Sequence, residues 1–237
     1  MMGLLQTRSN RSGPLDIEIL RTAILLSAHE SRHQPRAVDY VPTVIGAESY
    51  VMWYDDFIGD QLLDEYSHTN IGTGSGAVND QVGGVYRLTT GAALGSQRTT
   101  TFGAYYPFSA SKNPIIIIKY KANRTVDHGV DIGIYSAAAR GFLLCLSCPG
   151  GVPTTEVQYG LPADRTELSI ARDVLWHTIK MVVTSTTATF YIDGAFMTSH
   201  SHTVADSMKL YLHVDDAGGV TNNAELDIDY VLMYQDR

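Results

Sequence analysis

Between Trp176 and Gly194 the chain reads WHTIKMVVTSTTATFYIDG. Ile179, Met181 and Val183 recur at every second position, and so do Thr187, Thr189 and Tyr191. β-Branched and aromatic residues at a period of two fit a pleated strand, so this stretch predicts two strands joined by the polar turn Thr184–Ser185–Thr186. Asp193-Gly194 then supplies the positive φ angles of a tight hairpin turn and sends the chain back through Ala195 to Ser199.

The same pattern continues from about Tyr50 to the end. Expected strands cover 50–57, 85–89, 98–102, 114–122, 130–135, 142–146, 157–159, 167–171, 176–184, 187–192, 195–199, 208–214 and 224–234. Turn signals at intervals of roughly 8 to 15 residues mark a large antiparallel sandwich or jelly roll. Ile115 to Ile118 are apolar in succession, which predicts a central strand covered on both faces. In AELDIDYVLMY strict alternation would send Leu226, Ile228, Tyr230 and Leu232 one way and Glu225, Asp227, Asp229 and Val231 the other. Trp53 and Trp176 are expected in the core, and GTGSGAVND (72–80) reads as a glycine-rich loop.

The period changes near the N-terminus. PLDIEILRTAILLSAHES places Leu15, Ile19, Ala23 and Leu26 on one helical face, with Leu20, Ile24 and Ala28 beside them. Pro14 suits the first turn, and Asp16 and Glu18 suit the positive end of the helix dipole. The prediction is one amphipathic helix over about 14–31, followed by an extended, proline-containing connector. Residues 1–48 are thus an arm and 49–237 a β-domain. So wide an apolar stripe needs a partner, and Leu15, Ile19, Leu20, Ala23, Ile24 and Leu26 are the residues expected to dock the arm on another copy or another subunit.

Composition agrees with a sheet protein: 44% hydrophobic, 18% charged, 21 Gly and 14 Tyr in 237 residues. The formal charge is −8. Residues 1–48 balance five arginines against five acids, so the whole excess belongs to the β-domain. An anionic domain argues against a nucleic-acid partner, because phosphate binding needs clustered Lys and Arg. No apolar run approaches the ~18 residues of a membrane span, and no secretory signal is recognised. The sequons at Asn10 and Asn123 are therefore read as chance matches. Cys145 and Cys148 form a CxxC without a second pair or a nearby histidine, which falls short of a structural zinc site.

Several segments together resemble the concanavalin A-like lectin/glucanase superfamily, including its laminin G-like group. YDDF-IGDQLLDEY resembles its first strand and turn, GGVYRLTTG the next strand, the 176–194 segment its late hairpin, and LDIDYVLMY its closing strand. The resemblance covers about residues 50–237 and implies an all-β, antiparallel concanavalin A-like sandwich. The fold hosts enzymes, lectins and structural modules, so it leaves activity open.

Glucanases of that superfamily carry a Glu-x-Asp-x-x-Glu ladder on one strand, which places two carboxyl groups ~5 Å apart. It is absent here. Asp127–Asp131 and Glu225–Asp229 come nearest, and only Glu225, Asp227 and Asp229 alternate. For sugar recognition the expected aromatics are Tyr105, Tyr106 and Phe108, with Tyr135 and Tyr159 as further candidates. His213, Asp215 and Asp216 are the candidate metal group, resembling the acids and histidine with which legume-type lectins hold ions. His200 and His202 alternate on one side of an expected edge. No cofactor is expected, calcium being the one ion this group would suit.

The function expected on these grounds is a non-enzymatic structural protein that displays a lectin-like sandwich, such as a virion component anchored through residues 1–48. Its partners would be itself or other structural subunits, and glycans. The alternatives are a carbohydrate-binding module and, after it, a divergent glycoside hydrolase or lyase. A virion or other outward-facing assembly is the expected location, with the cytoplasm as the alternative.

Overall fold

The computed structural model describes residues 44–45, 48–55, 57, 66–79, 84–93, 95–102, 107–123, 128–147, 154–216 and 223–236, all within one compact unit, Val38–Arg237. The helix expected at 14–31, with Leu15, Ile19, Leu20, Ala23, Ile24 and Leu26, lies outside them. Also outside are Cys148, Tyr105, Tyr106 and the side chain of Trp53.

The described strands, in chain order, are β1 (Val44–Ile45), β2 (Glu48–Asp55), β3 (Ser67–Ile71), β4 (Ser75–Asn79), β5 (Val85–Thr89), β6 (Gln97–Thr101), β7 (Phe108–Ser109), β8 (Ile115–Ala122), β9 (Gly129–Ser136), β10 (Gly141–Ser147), β11 (Thr154–Gly160), β12 (Arg165–Leu168), β13 (His177–Val183), β14 (Thr187–Ile192), β15 (Ala195–Ser201), β16 (Ser207–Asp215) and β17 (Glu225–Asp236). They form two antiparallel sheets. The first runs β1-β2-β17-β8-β13-β14-β15, with β5 also on β17 and β4 on β5. The second runs β12-β11-β10-β9-β16-β6-β3, with β7 on β16.

The inner faces meet in one core. Ile116, Ile118, Ile179, Met181, Val183, Phe190 and Ile228 of the first sheet share it with Ile132, Ile134, Phe142, Leu144, Val157, Leu210 and Leu212 of the second. This apolar interlayer is the main stabilising term, at about 25 cal/mol per Å² of surface removed from water. The expectation for β8 holds: it lies between β17 and β13, and Ile117 on its outer side is buried too. The 176–194 hairpin also forms as expected, with Asp193 and Gly194 at φ +51° and +80°.

Three expectations change. A bulge in β17 between Ile228 and Tyr230 reverses its alternation. Val231 and Met233 therefore enter the core, and Tyr230 and Leu232 turn outward. Half of the expected glycine loop at 72–80 is strand β4, paired with β5. Gly76 permits it, since a Cβ there would sit 2.7 Å from the Tyr86 hydroxyl. Trp176, expected in the core, is 37% exposed beside β8, where the ammonium groups of Lys119 and Lys121 each lie 5.4 Å from its ring centre.

Candidate functional site

Alternation along β9 sends Val130, Ile132 and Ile134 into the core, so Gly129, Asp131, Gly133 and Tyr135 occupy the outer side. Register then aligns side chains from separate strands. Asp131 is opposite His213 of β16 and Cys145 of β10. Cys145 is opposite Glu156 of β11, and His213 is opposite Thr99 of β6. One step along, Gly133 pairs with Tyr211 and Leu143, and Gln158 with Arg165. Residues far apart in sequence thus form two adjacent rows across the second sheet.

The rows are tied together. The Tyr135 and Tyr211 ring centres are 5.0 Å apart, and Tyr211 stacks on His213 at 5.8 Å. Thr99 Oγ1 is 2.8 Å from His213 Nδ1 and also bonds the Tyr211 phenol. His213 Nε2 lies 3.5 Å from Asp215 Oδ2, while Asp215 Oδ1 accepts the Gly129 N–H at 2.8 Å. On the other flank Arg165 reaches Glu156 at 3.4 Å and Gln158 at 3.5 Å. Two glycines make the room: a Cβ at Gly129 would fall 2.3 Å from Asp215 Oδ1, and one at Gly141 would fall 2.7 Å from the Tyr135 ring.

Burial sets the protonation of this face. It pushes the Tyr211 phenol well above its ordinary range, with the Asp131 charge adding to the effect, and it raises Tyr135 for the same two reasons. The Cys145 thiol is raised by burial first, then by the Asp131 carboxylate that it hydrogen-bonds. It is a free, buried thiol, inert rather than nucleophilic. Burial would raise Asp215, but its hydrogen bond with His213, that ring's charge and the Gly129 N–H outweigh it, and the carboxyl ends below its usual range.

The residues expected from sequence fall elsewhere or divide. Phe108 is 1% exposed and packs on Phe102 in the core, so it presents no face to a ligand. Tyr159 stacks on His200 at 4.0 Å, and His202 packs its ring edge-on against Phe142. His213 and Asp215 belong to the outer face, but Asp216 turns the other way and is buried, its carboxylate oxygens without a hydrogen-bond partner. The three do not converge as a metal group, and among the described residues no three His, Cys, Asp or Glu do.

The acidic ladder of β17 is locked by cations. Arg87 Nε donates to Asp227 Oδ1 at 2.6 Å and Nη2 to Oδ2 at 2.9 Å, while Nη1 lies 3.2 Å from Glu225. Lys121 is 3.9 Å from Asp227, and Lys119 is 2.5 Å from Asp229. These carboxylates hold neighbouring strands together through Arg87, Lys119 and Lys121.

No family model matches the chain, and no curated protein matches it. Solved structures do. The Emp47p carbohydrate recognition domain aligns with a TM-score of 0.58 at 8% identity, over 78% of this chain and 94% of its own. A Bacteroides ovatus mixed-linkage-glucan GH16 protein in complex with a product aligns at 0.57 and 14%, over 76% and 98%. A protein of unknown function from Shewanella oneidensis MR-1 aligns at 0.59 and 12%, over 97% of both chains. At these identities the likeness is one of fold. Together with the two-sheet topology, it shows the fold: an all-β antiparallel jelly-roll sandwich of the kind seen in that carbohydrate recognition domain and that GH16 protein.

Proposed function

We propose that the protein is a carbohydrate-binding, lectin-like module whose sugar site is the outer face of the second sheet, around Asp131, Tyr135, Glu156, Arg165, Tyr211 and His213. The observation that carries this reading is the contiguous Tyr135–Tyr211–His213 aromatic run beside a carboxylate row. Sugar rings offer apolar C–H faces that pack on aromatics, and paired hydroxyls that suit planar carboxylate and guanidinium groups. Asp131 and Glu156 stand two strands apart on this face, with Cys145 between them. The carbohydrate ligands named for solved relatives of the same fold support the reading without fixing the sugar. Nothing in the sandwich speaks for a virion role, which rests on residues 1–48 alone.

Glycan-array screening followed by calorimetry tests the proposal. The wild-type protein is expected to bind at least one glycan, and Tyr211→Ala and Asp131→Asn to weaken it tenfold or more. Failure of the folded protein to bind any glycan, with or without calcium, overturns it.

A further inference from the structure

The loop 170–176, between β12 and β13, closes one end of the sandwich. Beneath it lies a cleft lined by Tyr120, Leu146, Ile170, Leu175, His177 and Ile192. Val174 and Leu175 stand exposed at its tip, Leu175 by 63%. So apolar a tip gains little from solvent; Ile170 at the start of the loop packs against the core, and the tip is held by polar contacts.

The holding group is His177. Its Nε2 is 2.9 Å from Asp173 Oδ1 on the loop, and its Nδ1 is 2.6 Å from Asp193 Oδ2 in the β14–β15 turn. Each carboxylate is oriented by backbone. The Leu175 N–H donates to Asp173 at 2.7 Å, and the Thr178 N–H donates to Asp193 Oδ1 at 2.8 Å. The Tyr120 ring of β8 packs 6.0 Å from the imidazole. A ring between two carboxylates donates to both only as the imidazolium, since the neutral ring carries a single N–H.

We propose that residues 170–176 form a pH-released lid over this cleft, latched by His177 between Asp173 and Asp193. Loss of the imidazole proton leaves one carboxylate facing a ring lone pair. Asp193 is built into a tight turn at φ +51° and stays, so Asp173 and the loop let go. Burial opposes the charge on His177, yet the hydrogen bonds of Asp193 and Asp173 outweigh it and raise its pKa above 6.5. The hydrogen bond from His177, then the Leu175 N–H, lowers Asp173 below 3.8. The latch is therefore complete between these limits. It is lost as pH rises through the His177 value, and again as pH falls through that of Asp173.

The Tyr120 phenol is pushed by burial far above its ordinary range, so it stays neutral throughout. Arg172 on the loop donates to His128 Nε2 at 2.9 Å, and Lys119 and Lys121 of β8 sit over Trp176. These three contacts hold the two flanks of the loop and bypass the His177–Asp173 bond.

Hydrogen exchange across residues 170–176, corrected for the intrinsic pH dependence, tests the lid, with the His177 midpoint read by NMR of its ring. Protection of the Leu175 amide is expected to fall roughly tenfold as pH passes that midpoint. The step should vanish in His177→Gln, and independently in Asp173→Asn, which should also lower the midpoint. Unchanged protection across the wild-type midpoint, or the same step in either variant, overturns the proposal.

Discussion

The two outer faces of the sandwich carry similar residue types in opposite states. On the first sheet, Glu225, Asp227 and Asp229 lie within reach of Arg87, Lys121 and Lys119, so their charge is spent between strands. On the second sheet, Asp131 faces a thiol and two tyrosines, and Arg165 reaches Glu156 at 3.4 Å. Cations that neutralise a row of acids make a brace. Aromatics and polar hydrogens around such a row make a surface able to exchange its hydrogen bonds for those of a ligand.

The largest expected disruption of the second face is Gly133→Val. At φ +154° a Cβ would fall 2.1 Å from the Phe142 carbonyl oxygen, and we expect about 3 kcal/mol of lost stability in urea unfolding. Next is Asp227→Ala on the first face, which leaves Arg87 without its bidentate partner. Because Arg87 is one-third exposed the loss is about 2 kcal/mol, below that of a fully buried pair, and glycan affinity should be unchanged. Tyr211→Ala should do the reverse in kind, costing about 1.4 kcal/mol or more of binding free energy by calorimetry.

The smallest effect concerns Asp215, whose folded pKa lies below its ordinary value. Its contribution is present above pH 3.8 and disappears as pH falls through the folded value. Urea midpoints at pH 5 and pH 3 should therefore differ more in the wild type than in Asp215→Asn, by less than about 1 kcal/mol.

The difference between the faces was only partly legible in the sequence. A period of two located the 176–194 hairpin, and the unbroken apolar run Ile115–Ile118 located β8 as a central strand, because both patterns report burial locally. The β17 bulge was not legible: nothing in LDIDYVLMY marks Asp229 as the extra residue, and one such residue exchanges the roles of Val231 and Leu232. Nor was the exposure of Trp176, since hydrophobicity does not say which end of a sandwich a residue occupies. The polar strand Ser67–Ile71 pairs with β6 while fully exposed, so it has no alternation to detect.

The site shows the same limit more sharply. In the sequence Asp131 belongs only to an incomplete single-strand ladder, Asp127–Asp131. Its neighbours Cys145, Glu156 and His213 come from three other strands, and register alone assembles them. A sequence scan for catalytic or metal spacing looks along one strand, whereas this row runs across them. The spacing of Gly129, Asp131, Gly133 and Tyr135 was the available signal: small and polar residues alternating with Val130, Ile132 and Ile134.

The central claim is that the second outer face, and not the first, receives sugar. Titrating isotope-labelled protein with neutral β-glucan and N-acetylglucosamine oligosaccharides, and following backbone amides by NMR, tests it directly. The account predicts shifts concentrated on Asp131–Tyr135, Leu143–Cys145, Glu156–Gln158 and Tyr211–His213. Shifts confined to Arg87, Lys119–Lys121 and Glu225–Asp229 would contradict it.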